Sequence, residues 1–195
     1  ELNINGTYYA DKNNRVSVQI PNAPLGNYNV TITNMNLSSC YESEVNATFT
    51  VQYPTFKMLQ QLIDNANNTV VLNSTYVRDG FETITISKEG FVLDGGNFTL
   101  DGQNQLKGSI LTITADNVTV RNVNLINGYS KVGAAINVQN ANNTIVDNCN
   151  FVNNSAVIDT TSSGSGGGGA IFWYGTNGSI SNSNFITNSA PNRSG

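Results

Sequence analysis

With 195 residues, a formal net charge of −4 and no histidine, the chain has room for two small domains and no electrostatic case for nucleic acid as a partner. The missing histidine also removes the commonest general base. No secretory h-region or membrane-spanning run occurs, so no membrane contact is expected within this stretch.

Residues 1–53 alternate β-rich runs with turns: Val16–Ile20, a Pro/Gly turn, Tyr28–Ile32, and Ala47–Val51. Such a rhythm predicts antiparallel strands of an Ig-like β-sandwich, and because that fold needs roughly 100 residues, 1–53 reads as an incomplete domain or one that borrows a strand. Residues 54–68 read as a capping helix and linker. Thr55 is the expected N-cap after Pro54, and Phe56, Leu59, Leu62 and Ile63 form the apolar stripe. A solenoid must cover its first coil, and a short amphipathic helix does so.

Residues 69–195 are expected to be that solenoid. Val70–Leu72, Ile84–Ile86, Phe91–Gly96 and Phe98–Gly102 read as short strands of the first, less regular coils, some ending in Asp-Gly or Gly-Gly turns. A repeated phrase follows: TVRNVNLING at 119–128, TIVDNCNFVNNSA at 144–156 and SISNSNFITNSA at 179–190. Aligned on Leu125, Phe151 and Phe185, the columns Val123/Cys149/Ser183, Val120/Val146/Ile180 and Asn122/Asn148/Asn182 fall into place without gaps, so one coil is about two dozen residues. The last copy is spaced further by the extra Thr/Ser/Gly run at 160–167.

Within each copy the apolar positions keep period two on either side of an Asn corner, which sets them on one face of two short strands. Asn suits the corner because its amide tolerates left-handed backbone and bonds to its neighbours. Asn122, Asn148 and Asn182 are therefore candidates for a stacked amide ladder. Gly133-Ala134-Ala135-Ile136 and Gly168-Gly169-Ala170-Ile171, with Gly108–Leu111 as a weaker copy, place small residues where the chain turns closely before a strand enters the core. The fold class is mainly β, a parallel β-helix rather than a sandwich or an α/β fold. The chain starts on Glu1 rather than an initiator Met and stops just after a coil, so the solenoid is expected to be C-terminally truncated, with export signal and anchor lying elsewhere in a longer protein.

Asn-X-Ser/Thr triplets occur at Asn5, Asn29, Asn36, Asn46, Asn67, Asn73, Asn97, Asn117, Asn142, Asn153, Asn177 and Asn192, the pattern that oligosaccharide transfer requires, although an Asn- and Thr-rich β-protein also produces such triplets by chance. Cys40 and Cys149 fall in separate domains and are expected to be free thiols, with Cys149 filling the core.

Parallel β-helices also carry polysaccharide lyases and hydrolases, which need clustered carboxylates for Ca²⁺ with an Arg or Lys base, or two facing carboxylates. Here Asp94, Asp101, Asp116, Asp147 and Asp159 are scattered. Asp94 and Asp101, each followed by Gly, could hold Ca²⁺, but Asp-Gly is ordinary turn chemistry; no cofactor is expected. Arg121 and Asp147 share a column and are expected to form a surface ion pair. The possible ligand-binding residues are Phe172 and Tyr174: if Ile171 and Trp173 point inward, these two rings stand on the outer face, next to a Gly/Ser loop at 161–169.

Gly168–Ile171 followed by Phe185–Asn188, and Gly133–Ile136 followed by Phe151–Asn154, resemble the paired GGA[I/L/V] and FxxN repeats of chlamydial polymorphic outer-membrane proteins. They resemble more widely the adhesin-like surface proteins of methanogenic archaea, in which an Ig-like repeat with a strand similar to Gly26–Thr31 precedes a capping helix and a coil similar to Phe91–Asp101. Gly133–Ile136 departs in lacking the second Gly, and Leu125–Gly128 in lacking both the Phe and the final Asn. The resemblance implies a right-handed, pectate-lyase-like coil in a non-catalytic extracellular protein of the cell surface or wall, binding glycans or proteins of another cell. It carries no catalytic residues. The alternatives are a subunit of an extracellular filament that self-associates through its coil ends, and a fragment of a carbohydrate-active β-helix enzyme.

Overall fold

The computed structural model describes residues 26–33, 44–157 and 167–190, and the chain divides into two compact units, Glu1–Gln52 and Tyr53–Gly195. In the first, β1 (Gly26–Thr33) and β2 (Glu44–Val51) pair antiparallel, from Gly26 opposite Val51 to Thr33 opposite Glu44. The strand expected at 16–20 lies outside the described residues, as does Cys40.

The second unit is a β-solenoid. Its chain passes in turn through three sheets, and every strand pairing is parallel. One sheet stacks β3 (Thr69–Val71), β6 (Val92–Asp94), β9 (Thr119–Arg121), β13 (Ile145–Asp147) and β17 (Ser179–Ser181). The second stacks β4 (Tyr76–Val77), β7 (Thr99–Asp101), β10 (Asn124–Ile126), β14 (Asn150–Val152) and β18 (Asn184–Ile186). The third stacks β5 (Ile84–Ile86), β8 (Leu111–Ile113), β12 (Ile136–Gln139) and β16 (Ile171–Tyr174), and a small fourth pairs β11 (Tyr129–Ser130) with β15 (Ser155–Ala156).

The expected columns are the strand registers. Leu125 pairs with Phe151 and Phe151 with Phe185, and Val120, Val146 and Ile180 align in the same way. Tyr76, Leu100, Leu125 and Phe151 make one buried column, and Ile84, Leu111 and Ile136 another. Each fully buried side chain of this size contributes roughly 1.5–3 kcal/mol of transfer free energy, so the stacked columns are the source of the unit's stability. Cys149 fills the interior as expected, with 0% exposure, and burial pushes its thiol pKa up to about 11.

Corners follow the side-chain logic. Among the described non-glycine residues with positive φ, all but Gln103 and Thr187 are asparagine, the residue that pays least for left-handed backbone when glycine is absent. Gly108, Gly133 and Gly168, at equivalent positions, also have positive φ. A Cβ at Gly133 would collide with the Ile136 carbonyl and the Phe172 backbone, which is why a small residue sits there.

The amide ladder is real but ends differently from the expectation. Asn148 Nδ2 donates to Asn122 Oδ1 (2.8 Å) and Asn122 Nδ2 to Asp94 Oδ1 (3.0 Å), whereas Asn182 donates to Asp147 Oδ1 (2.8 Å) rather than to Asn148. A carboxylate is the stronger acceptor, so it captures the last amide. A second ladder runs two residues on, from Asn184 to Asn150 (2.8 Å) and Asn150 to Asn124 (2.7 Å).

The last Asn of the FxxN phrase ties successive coils together. Buried Asn154 donates to the Leu125 carbonyl (3.0 Å) and to Asn188 Oδ1 (2.9 Å), and accepts from the Gly128 N–H (2.8 Å). The departure at Gly128 has a steric cause: a Cβ there would meet the Ala134 carbonyl and Asn154 Oδ1.

Helix α1 (Phe56–Asn65) packs against β3, β4 and β5 and so caps the first coil. The Thr55 hydroxyl accepts from Met58 N (3.4 Å), and Phe56, Leu59 and Ile63 are buried. Leu62 departs from the expected stripe at 48% exposure; at 100° per residue it lies well to one side of the seam set by the other three. Side chains finish the seal. The Gln60 amide accepts from Thr85 N (2.7 Å) and donates to Thr85 O (3.1 Å), taking the place of a neighbouring strand on the edge of β5. Lys88 Nζ donates to the Ile63, Asp64 and Ala66 carbonyls at the helix C-terminus, where a cation is favoured. Buried Arg78 donates to the carbonyls of Gln105 (2.9 Å), Gly108 (3.0 Å) and Ser109 (2.8 Å), with its guanidinium over the Phe56 ring. Burial brings its pKa down to about 10.

Candidate functional site

The outer face of the sheet β5-β8-β12-β16 is built by strand alternation. In β16, Ile171 pairs with Ile136 and Trp173 with Val138, and both pack against the core. Phe172 and Tyr174 therefore point outward, next to Asn137 and Gln139 of β12. Tyr174 is 64% exposed and Phe172 is half-buried. Gly133 gives Phe172 its close seat, and Gly167 lies beside its ring. Residues 161–166 of the neighbouring loop lie outside the described residues.

Beneath Phe172, Asn137 is 6% exposed, and its Oδ1 has no hydrogen-bond partner among the described residues. The face thus combines two aromatic surfaces with amides and Thr112, a chemistry suited to stacking on a sugar ring or a peptide and bonding its polar groups.

Asp94, Arg121 and Asp147 lie on another sheet, on β6, β9 and β13. Arg121 is flanked in its column by Asp94 and Asp147, and its ion pair goes to Asp94 (Nε to Oδ2, 2.9 Å) rather than to Asp147 as the spacing suggested. Asp147 is engaged by Ser181 Oγ (2.7 Å) and Asn182 Nδ2 (2.8 Å). Its pKa is lowered by Ser181 and Asn182, with Arg121 contributing. The Asn122 amide leads in lowering the Asp94 pKa, with Gly96 N and Arg121 adding to it against the opposing effect of desolvation. Asp94 Oδ1 also accepts from Gly96 N (3.0 Å), and Asp101 Oδ1 from Gln103 N (2.8 Å). Both carboxylates thereby close their own turns.

The triplet asparagines differ in environment. Asn67, Asn73, Asn97 and Asn177 are exposed. Asn117 donates to Glu89 (2.9 Å), Asn142 to Asp116 (3.4 Å) and Asn153 to Asn127 (2.8 Å). Asn29 and Asn46 lie on β1 and β2, and Asn5, Asn36 and Asn192 lie outside the described residues.

Sequence reasoning missed Asn137, although its place between Thr112 and Phe172 follows from aligning the three small-residue phrases. It also missed Arg78, Lys88 and Gln60, which have no counterpart in the repeats. No family model, curated protein or solved structure matches the chain.

Proposed function

We propose that this chain is part of a non-catalytic, adhesin-like stalk on the outside of a cell, attaching to glycans or proteins of another cell. The observation that carries this reading is the outward pair Phe172 and Tyr174 on the face of a stacked-strand scaffold. Each coil advances the stack by about 4.8 Å, so repetition extends the protein while holding the rings on a fixed lattice of strands. The dense Asn-X-Ser/Thr triplets and the resemblance to archaeal adhesin-like proteins support the extracellular location.

The test is binding of the purified chain to a glycan array and to intact cells, beside the Phe172→Ala/Tyr174→Ala double variant with its circular dichroism unchanged. Loss of at least about ten-fold in affinity is expected, since hot-spot aromatics carry 2 kcal/mol or more. Undiminished binding by the variant discards the site.

A filament subunit is the second reading. It draws on Ile180, Phe185 and Ile186, which are 44%, 50% and 51% exposed on the last described coil. Concentration-dependent end-to-end polymers in electron micrographs would favour it.

A further inference from the structure

The chain contains three Asn-Gly bonds, at Asn5, Asn127 and Asn177, of which the last two lie among the described residues. An Asn-Gly bond is chemically special because glycine leaves its own backbone nitrogen unhindered. That nitrogen can lose its proton and attack the Asn Cγ. The new N–Cγ bond closes a five-membered succinimide, the side-chain nitrogen leaves as ammonia, and one water molecule then opens the ring. Opening at the side-chain carbonyl gives Asp; opening at the backbone carbonyl gives isoaspartate. The reaction needs a side chain free to swing and a backbone N–H not held by a partner.

At Asn127 both needs are denied. Its Nδ2 donates to Asp101 Oδ1 (3.0 Å) and its Oδ1 accepts from Asn153 Nδ2 (2.8 Å). The Gly128 N–H is held by the buried Asn154 Oδ1 (2.8 Å), and Gly128 itself is buried under Ala134. The corner between β16 and β17 is different. Asn177 and Gly178 are both exposed, and among the described residues neither the Asn177 amide nor the Gly178 N–H has a hydrogen-bond partner. Asn143, one coil earlier, is again tied, donating to Asn117 Oδ1 (3.0 Å), and is followed by Thr144 rather than Gly. Position 178 cannot readily carry a protecting side chain, because a Cβ there would run into the Trp173 ring and the Thr144 carbonyl.

We infer that Asn177–Gly178 is a site of spontaneous deamidation and isomerisation, and that the same dipeptide at Asn127–Gly128 is protected by the fold. Isoaspartate at 177 adds a backbone atom at the corner between β16 and β17, and either product adds a negative charge next to the aromatic strand. A glycan on Asn177 would block the reaction, because the departing nitrogen would carry the sugar.

Trypsin separates the two sites, placing Asn127 between the cuts after Arg121 and Lys131, and Asn177 between the cuts after Lys131 and Arg193. The unglycosylated full chain is aged in mildly alkaline buffer, natively and in denaturant. Isoaspartate in each peptide is then counted by enzymatic methyl transfer and mass spectrometry. Isoaspartate is expected in the native chain at Asn177 and at least about ten-fold more slowly at Asn127, with the two rates converging in denaturant. Equal native rates, or a native Asn177 that stays intact while the denatured one reacts, overturns the inference. The variant Asn177→Gln should remove the native signal, and a signal that persists in that peptide also overturns it.

Discussion

The first coil and the last described coil of the solenoid use the same interior columns and finish them in opposite ways. At the first, Phe56, Leu59 and Ile63 of α1 close the interior, Gln60 stands in for a missing strand on β5, and Thr55 bridges to Val77 on the edge of β4. At the last, Phe185 stacks on Phe151 with ring centroids 4.7 Å apart, and its other face stays uncovered among the described residues. Repetition alone therefore does not make a position buried: a column residue is only as dry as the layers on both sides of it.

The largest test of this contrast compares two phenylalanines of one column. Phe151→Ala should cost about 3–5 kcal/mol in urea unfolding, the range for a buried aromatic. Phe185→Ala should cost roughly half as much or less, having one face in water. Equal losses would mean that something covers Phe185 in solution. Arg78→Met is expected next, at about 2–4 kcal/mol, because three carbonyls on the following corner lose their donor.

Gln60→Ala and Lys88→Met should each lower stability by roughly 1 kcal/mol, through one lost edge contact and one lost helix-end charge. Hydrogen exchange should show the loss concentrated in α1 and β5. The smallest effect is electrostatic. The folded pKa of Asp94 is depressed, so its contribution is present above the ordinary carboxylate value of about 3.9 and fades as pH falls through the folded value. Asp94→Asn should flatten that acid limb of the stability curve, and an unchanged limb would assign it to Asp147 or other carboxylates.

What was legible in the sequence was whatever recurs. Phe151 over Leu125, the Asn corners and the helical lid were all readable, because period and spacing determine which face a side chain takes, whereas the parity of Phe172 and Tyr174 was left open by the sequence and is decided by the pairing of Ile171 with Ile136. Choices between competing partners were not readable. Arg121 had two carboxylates in its column and took Asp94, and Asn182 took Asp147, the stronger acceptor, over Asn148, choices that spacing alone leaves open. The non-repeated seal of Arg78, Lys88 and Gln60 was invisible for another reason: contacts made once leave no periodic trace.

The longer spacing between Phe151 and Phe185, 34 residues against 26 for the copy before, leaves the strand register untouched. The junction from β15 to β16 can therefore change its length without displacing a single layer. It is the natural place for variation between lineages to accumulate, and the place to splice in a foreign peptide for display while the surrounding scaffold keeps its alignment.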